Sequence, residues 1–84
     1  VITLRLRFFA ALREALGDGE TLTLASPATV ADVRAQLVAR GGEYARLLDG
    51  RRAVRAALDH AVCEGASTIE HDAELAFFPP VTGG

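Results

Sequence analysis

The feature that most constrains this chain is the alternation at its start. Ile2, Leu4, Leu6 and Phe8 fall on one face of an extended segment, and Thr3, Arg5 and Arg7 fall on the other. Side chains of a strand point alternately to its two faces, so residues 1–9 are predicted to form a strand with one side in a core. The far end of the sequence supplies a counterpart. Over residues 74–78, Leu75 and Phe77 share one face, and Ala76 and Phe78 share the other. Pro79-Pro80 ends that strand, because proline has no amide hydrogen to give a ladder and its ring fixes φ.

Between these two strands the punctuation is regular. Residues 10–16 read as a short helix with Leu12, Ala15 and Leu16 on one side, stopped by Gly17, and Asp18-Gly19 makes a turn. Residues 21–24 are a second strand, with Leu22 and Leu24 on one face, broken by Ser26-Pro27. Thr29 is a suitable N-cap, with Asp32 three residues on in an acidic form of the capping box. Val30, Val33 and Leu37 then form the apolar stripe of the main helix. Arg40 and Gly41-Gly42 are expected to close that helix. Tyr44, Leu47 and Leu48 are spaced for one helical turn, Asp49-Gly50 is a turn, and residues 54–58 and 61–63 are short strand candidates.

One amphipathic helix across one mixed sheet is an α+β arrangement. If the terminal strand lies beside the first, it is central and the fold is a ubiquitin-like β-grasp, a mixed sheet packed on one main helix. A chain of 84 residues, half of them apolar, suffices for a single domain and one core. We expect a β-grasp domain over residues 1–78 and an extended tail over residues 79–84.

Composition excludes several classes of function. No apolar run is long enough for a membrane-spanning helix, and the N-terminal residues do not have the pattern of a secretory leader. The single cysteine, Cys63, rules out an internal disulfide and suits a reducing cytoplasm, which is the expected location. It lies in an apolar stretch with acidic rather than basic neighbours, as a structural thiol does and a reactive one does not. The net charge is −2, and from Asp59 to Phe78 there are five acids and no arginine. That half suits neither nucleic acid nor an anionic membrane. His60, Cys63 and His71 match no metal-binding spacing, so no metal is expected. Gly41-Gly42 follows a helix rather than preceding one, which is the wrong order for a phosphate loop.

The tail carries the functional signal. Phe77-Phe78-Pro79-Pro80-Val81-Thr82-Gly83-Gly84 runs from a strand through two stiff prolines to a bare Gly-Gly. Small residues at a chain end are commonly mere fraying. Two aromatics and a proline pair directly ahead of them point instead to a rigid stalk with a slim tip. Glycine passes where a Cβ would not, so such a tip can enter another protein's active site. All nine basic residues are arginine. An activated C-terminal carboxyl would therefore meet no lysine amine on its own chain.

Phe8-Phe9-Ala10, Leu12-Arg13-Glu14, Thr29-Val30 and the run from Glu74 to Gly84 together resemble the small subunits of molybdopterin synthases, a family of ubiquitin-like sulfur carriers. The resemblance covers nearly the whole chain. It departs at Asp59, where the family often has Asn, and at His71-Asp72, where it often has an Asp-Gly turn.

The resemblance implies a relay. A ubiquitin-activating-type adenylating enzyme uses ATP to adenylate Gly84, and a sulfur donor protein converts the carboxylate to a thiocarboxylate. The tail then delivers sulfur inside the synthase large subunit to build the dithiolene of molybdopterin. In that case Gly84 carries the chemistry, while Phe78, Pro79, Pro80, Val81, Thr82, Gly83 and Val62 contact partners. No cofactor is bound by the chain itself. Two neighbouring readings share the Gly-Gly end: a sulfur carrier for thiamine, cysteine or tRNA thiolation, and a ubiquitin-like protein modifier.

Overall fold

A computed structural model describes residues 1–80. In chain order the elements are β1 (Ile2–Phe8), α1 (Ala11–Leu16), β2 (Gly19–Leu24), β3 (Ala28–Thr29), α2 (Val30–Val38), α3 (Gly42–Leu48), β4 (Arg55–Leu58), β5 (Ala61–Cys63), β6 (Thr68–Ile69) and β7 (Ala73–Phe78). The main sheet has the order β2-β1-β7-β4-β5. β7 runs parallel to β1 and antiparallel to β4, so the last strand is the central one. This is the mixed sheet of a β-grasp.

The alternation in β1 is realised: Ile2, Leu4, Leu6 and Phe8 are all buried, and Arg5 and Arg7 are exposed. Leu75 and Phe77 of β7 lie on the same inner face and are equally buried. There Phe8 stacks on Phe77 at 6.2 Å between ring centroids and meets Tyr44 of α3 edge-on at 6.5 Å. Such pairs add about 0.5–1.5 kcal/mol beyond their area burial.

α2 covers this face with Val30, Val33 and Leu37, each at most 3% exposed. Burying each of these side chains is worth about 1.5–3 kcal/mol. The helix starts where expected. The Thr29 hydroxyl accepts the Asp32 amide at 3.1 Å, and the Asp32 carboxylate accepts the Thr29 amide at 2.8 Å, so the capping box is complete.

Several expectations need correction. α2 ends at Val38, so Arg40 lies outside it. The Arg40 guanidinium instead pairs with Glu20 of β2 and sits 5.0 Å over the Tyr44 ring. Gly41 and Gly42 do not only close α2: Gly41 is the N-cap of α3, and Gly42 is its first residue, both at positive φ. The two helices abut, and glycine permits the sharp reversal between them. Ala15 is exposed rather than packed, leaving Leu12 as the buried residue of α1. The second strand begins earlier than expected, at Gly19, and a small second sheet of β3 with β6 was not anticipated.

The departures at Asp59 and His71-Asp72 are accommodated. Leu58 pairs with Ala61, so Asp59-His60 is a two-residue hairpin loop. Both loop residues have positive φ, 48° and 72°, as a type I′ turn requires and as Asn-Gly supplies most easily. The Asp59 carboxylate accepts the Glu74 amide at 2.9 Å, tying this loop to the start of β7. The Asp72 carboxylate accepts the Thr3 amide at 2.8 Å and fixes the entry of β7 beside β1.

Candidate functional site: the tail root and the open sheet face

β7 leads straight into the tail. Its inner residues Leu75 and Phe77 are anchored in the core, so the strand is fixed up to its last residue. Phe78 lies on the opposite face, directly across from Arg55 of β4, and is half-buried. Pro79 and Pro80 follow, also half-buried and outside the strand. The expected site residues Val81, Thr82, Gly83 and Gly84 lie outside the described residues.

The helices pack on the inner face, and the outer face around Phe78 carries a run of small and apolar side chains. Register places Ala76 of β7 beside Ala57 of β4, and Ala57 beside Val62 of β5. Val62 is 61% exposed, a high value for an aliphatic residue. Ala57 and Ala76 form a shallow floor between Val62 and the strands that lead to the tail. Phe78 and Val62 thus share one face, though Phe78 is more covered than a fully exposed aromatic would be.

Phe9 belongs to the same surface and was not singled out from the sequence. Phe8 pairs with Phe77 in the parallel ladder, and the Phe9 amide donates to the Phe77 carbonyl at 3.2 Å. Phe9 therefore emerges at the same end of the sheet as Phe78. It is 41% exposed, with the Arg7 guanidinium 5.5 Å from its ring centroid. The signal was present: both strands end in a Phe-Phe pair. Alternation buries the first ring of each pair and turns the second outward.

Charged groups border the patch. The Glu74 carboxylate, 15% exposed, lies 3.8 Å from Arg5, 3.7 Å from Arg7 and 3.5 Å from His60. Of the loop arginines, Arg51 pairs with Asp49 and Arg52 donates to the Arg46 carbonyl. Arg55, the first residue of β4, stands in register with Phe78.

Cys63 points inward, next to the core, and burial pushes its thiol pKa up, partly opposed by a Leu58 backbone hydrogen bond and the Ser67 hydroxyl. That environment holds the thiol protonated and so disfavours nucleophilic attack. Among the described residues no three His, Cys, Asp or Glu side chains gather as metal ligands, and no helix is long and apolar enough to cross a membrane.

Comparison with known proteins bears on the family and the fold. A model described as the ThiS family matches residues 6–84. The molybdopterin synthase sulfur carrier subunit of Escherichia coli is 32% identical, over 96% of this chain and 99% of that protein. Its Haemophilus influenzae counterpart is 33% identical with the same coverage. Among solved structures, subunit 1 of a molybdopterin converting factor from Pyrococcus furiosus superposes with a TM-score of 0.80 over 96% of this chain and all of that one. At 21% identity it speaks for the fold alone. SAMP1 from Haloferax volcanii has a TM-score of 0.71 at 25% identity, over 98% of this chain and 99% of that one.

Proposed function

Because the chain belongs to the ThiS family, we propose that it is the sulfur carrier subunit of a molybdopterin synthase, with Gly84 as the atom-bearing end. The observation that most supports this is the joining of two features. A fixed strand hands directly to Pro79-Pro80, and the apolar face of Phe9, Phe78, Ala57, Ala76 and Val62 surrounds the point of exit. Docking through that face would present the tail in a fixed direction.

In this reading the Gly84 carboxylate attacks the α-phosphate of ATP on an adenylating enzyme and releases pyrophosphate. The resulting acyl adenylate makes the carbonyl carbon electrophilic. Sulfur supplied by the donor protein at the sulfide level then attacks that carbon, forming the C–S bond as the C–O bond to AMP breaks, and leaves a thiocarboxylate. The thiocarboxylate is a soft anionic nucleophile, and the synthase large subunit would receive it through a channel that only Gly83 and Gly84 are slim enough to follow. Pro79 and Pro80 restrict the tail beforehand, so less entropy is lost on insertion. Catalytic groups belong to the partners, and ATP is consumed there, in the cytoplasm.

The test is reconstitution with a molybdopterin synthase large subunit and its pterin precursor. The intact chain, loaded by its sulfur enzymes, should show one oxygen replaced by sulfur in its mass and should support dithiolene formation. A chain lacking Gly84 should do neither. Dithiolene formation at an undiminished rate without Gly84 would refute the proposal.

A second reading has one observation in its favour, the likeness to SAMP1 at 25% identity. Archaeal chains of the same fold are named small archaeal modifier proteins. Covalent adducts of this chain on denaturing gels of its host would favour that role.

A further inference from the structure

We infer that β5 is a docking edge, and that the partner covering the Phe9–Phe78–Val62 face adds an extended strand alongside Ala61–Cys63. The inference rests on the partner reading above and specifies how that partner is held.

Three features converge on this edge. The first is backbone. β5 is the outermost strand of the sheet, bonded only to β4. Leu58 and Ala61 flank a two-residue turn and pair across it, and Ala56 pairs with Cys63 two positions on. Antiparallel pairs alternate between hydrogen-bonded and non-bonded, so Ala61 and Cys63 spend their backbone groups on β4. The amide and carbonyl of Val62 point the other way, to the open edge, free to bond a new strand.

The second feature is the outer side. Val62 is 61% exposed and continues through Ala57 and Ala76 toward the tail root. A strand lying along β5 would place one side chain on this patch, so the docking face and the edge form one continuous surface.

The third is the inner side. Between α2 and the β4–β5 hairpin lies a groove of about 860 Å³. Ala31, Ala35 and Val38 of α2 form one wall, and Val54, Ala56 and Cys63 form the other. These six side chains are small or aliphatic, Arg34, Arg55 and Glu64 also line the groove, and it reaches down to Leu48 and Phe77 of the core. Side chains of an added strand alternate between the two faces. The residue opposite Val62 would meet the outer patch, and its two neighbours would enter the groove. The occupant is therefore a partner strand with apolar side chains at these three positions, one over Val62 and two against the small and aliphatic walls of the groove. The opposite edge, β2, has no such arrangement: its outward residues Thr21 and Thr23 are exposed and polar. Strand addition of this kind combines main-chain hydrogen bonds for affinity with alternate pockets for specificity.

The test uses the carrier and a molybdopterin synthase large subunit. The Val62 amide should exchange rapidly with solvent in the free carrier and become protected in the complex. Val62→Pro removes an amide hydrogen that the fold does not use, fixes φ and replaces the valine side chain with a ring, changes that an edge strand tolerates. It should weaken binding by roughly tenfold more than Val62→Ala, since the backbone bond is lost along with the side-chain contact. Ala35→Phe, which fills the groove, should weaken binding as well. An unprotected Val62 amide in a complex that does form overturns the docking edge and leaves the partner reading standing. Equal binding by Val62→Pro and Val62→Ala, with both folded, does the same. Failure of the unaltered chain to bind overturns the partner reading and this inference together.

Discussion

Phe77 and Phe78 are neighbours in sequence on opposite faces of the sheet, so truncating each in turn separates stability from the proposed docking. Phe77 is 1% exposed and stacks on Phe8 at 6.2 Å. Replacing a buried Phe by Ala costs about 3–5 kcal/mol. At about 0.05–0.15 kcal/mol per residue, a chain of 84 residues has on the order of 4–13 kcal/mol in total. Phe77→Ala should therefore remove at least about a quarter of the stability and lower the melting temperature by about 12 °C or more. Phe78 is half-buried on the outer face and in register with Arg55. Its truncation should cost on the order of 1 kcal/mol of stability, roughly the partial loss of an apolar side chain's burial. Its effect on binding to a synthase large subunit should be larger, about tenfold or more, because exposed aromatics at the centre of a contact dominate affinity. Urea unfolding measures the first quantity, and calorimetric titration with the large subunit measures the second. Should Phe77→Ala prove too unstable, Phe77→Leu tests the same site at smaller cost. The reasoning is refuted if Phe78→Ala destabilises as much as Phe77→Ala, or if a folded Phe78→Ala binds with unchanged affinity.

Two further outcomes follow from single sites. A Cβ on Gly19 would sit 1.9 Å from the Leu6 carbonyl oxygen, at a φ of +150°, so Gly19→Ala should cost about 2 kcal/mol or more by prying β2 from β1. Gly50→Ala, where a Cβ meets open space, should be near neutral in the same melts, and equal losses at the two sites would contradict this account. Burial raises the Cys63 thiol pKa, so the native state keeps a proton that the unfolded chain gives up earlier. That contribution is complete below the ordinary thiol range, about pH 8.5, and declines as pH rises through the raised value. Alkylation of Cys63 in the folded chain should accordingly be slower than in a short unstructured peptide at the same pH, and an equal or faster rate would refute the assignment.

The main architecture was legible because it is written in long periodic signals. β1 shows four alternations, α2 shows its stripe and capping box, and β7 shows a two-faced strand stopped by proline. What escaped was short or depended on contacts distant in sequence. β3 and β6 are two residues each, too few for any period to register. Gly41-Gly42 carries the same composition whether it ends one helix or starts the next, and only the abutting of α2 and α3 decides. Arg40 was assigned by proximity to a helix end, but its partner Glu20 is on β2, twenty residues earlier. Of the candidate site, Phe78 could be named from the sequence because alternation turns it away from Leu75 and Phe77, and Val62 because it lies in a short apolar strand segment. Phe9 was missed because residues 1–9 were read as a single strand, although the ladder ends at Phe8 and the next side chain is turned outward.

The parallel pairing of β1 with β7 brings the root of the tail and the proposed docking face to one end of the sheet. Parallel strands finish at the same end of a sheet, so Phe8-Phe9 and Phe77-Phe78 finish together. Each pair sends one ring into the core and one out. The two inner rings stack and hold the end of β7 still, and the two outer rings border the place where Pro79 begins. Had the two strands run antiparallel with the same residues, Phe9 would lie at the far end of β7, some six residues away, about 20 Å from the tail. The open face would then be divided, and a partner gripping it could not fix the direction in which the chain leaves. A central β7 also has a neighbour on each side, β1 and β4, so a pull on the tail is resisted by two ladders. Under the proposed function, in which the terminus enters a partner, such anchoring keeps strain on the tail from fraying the strand behind it.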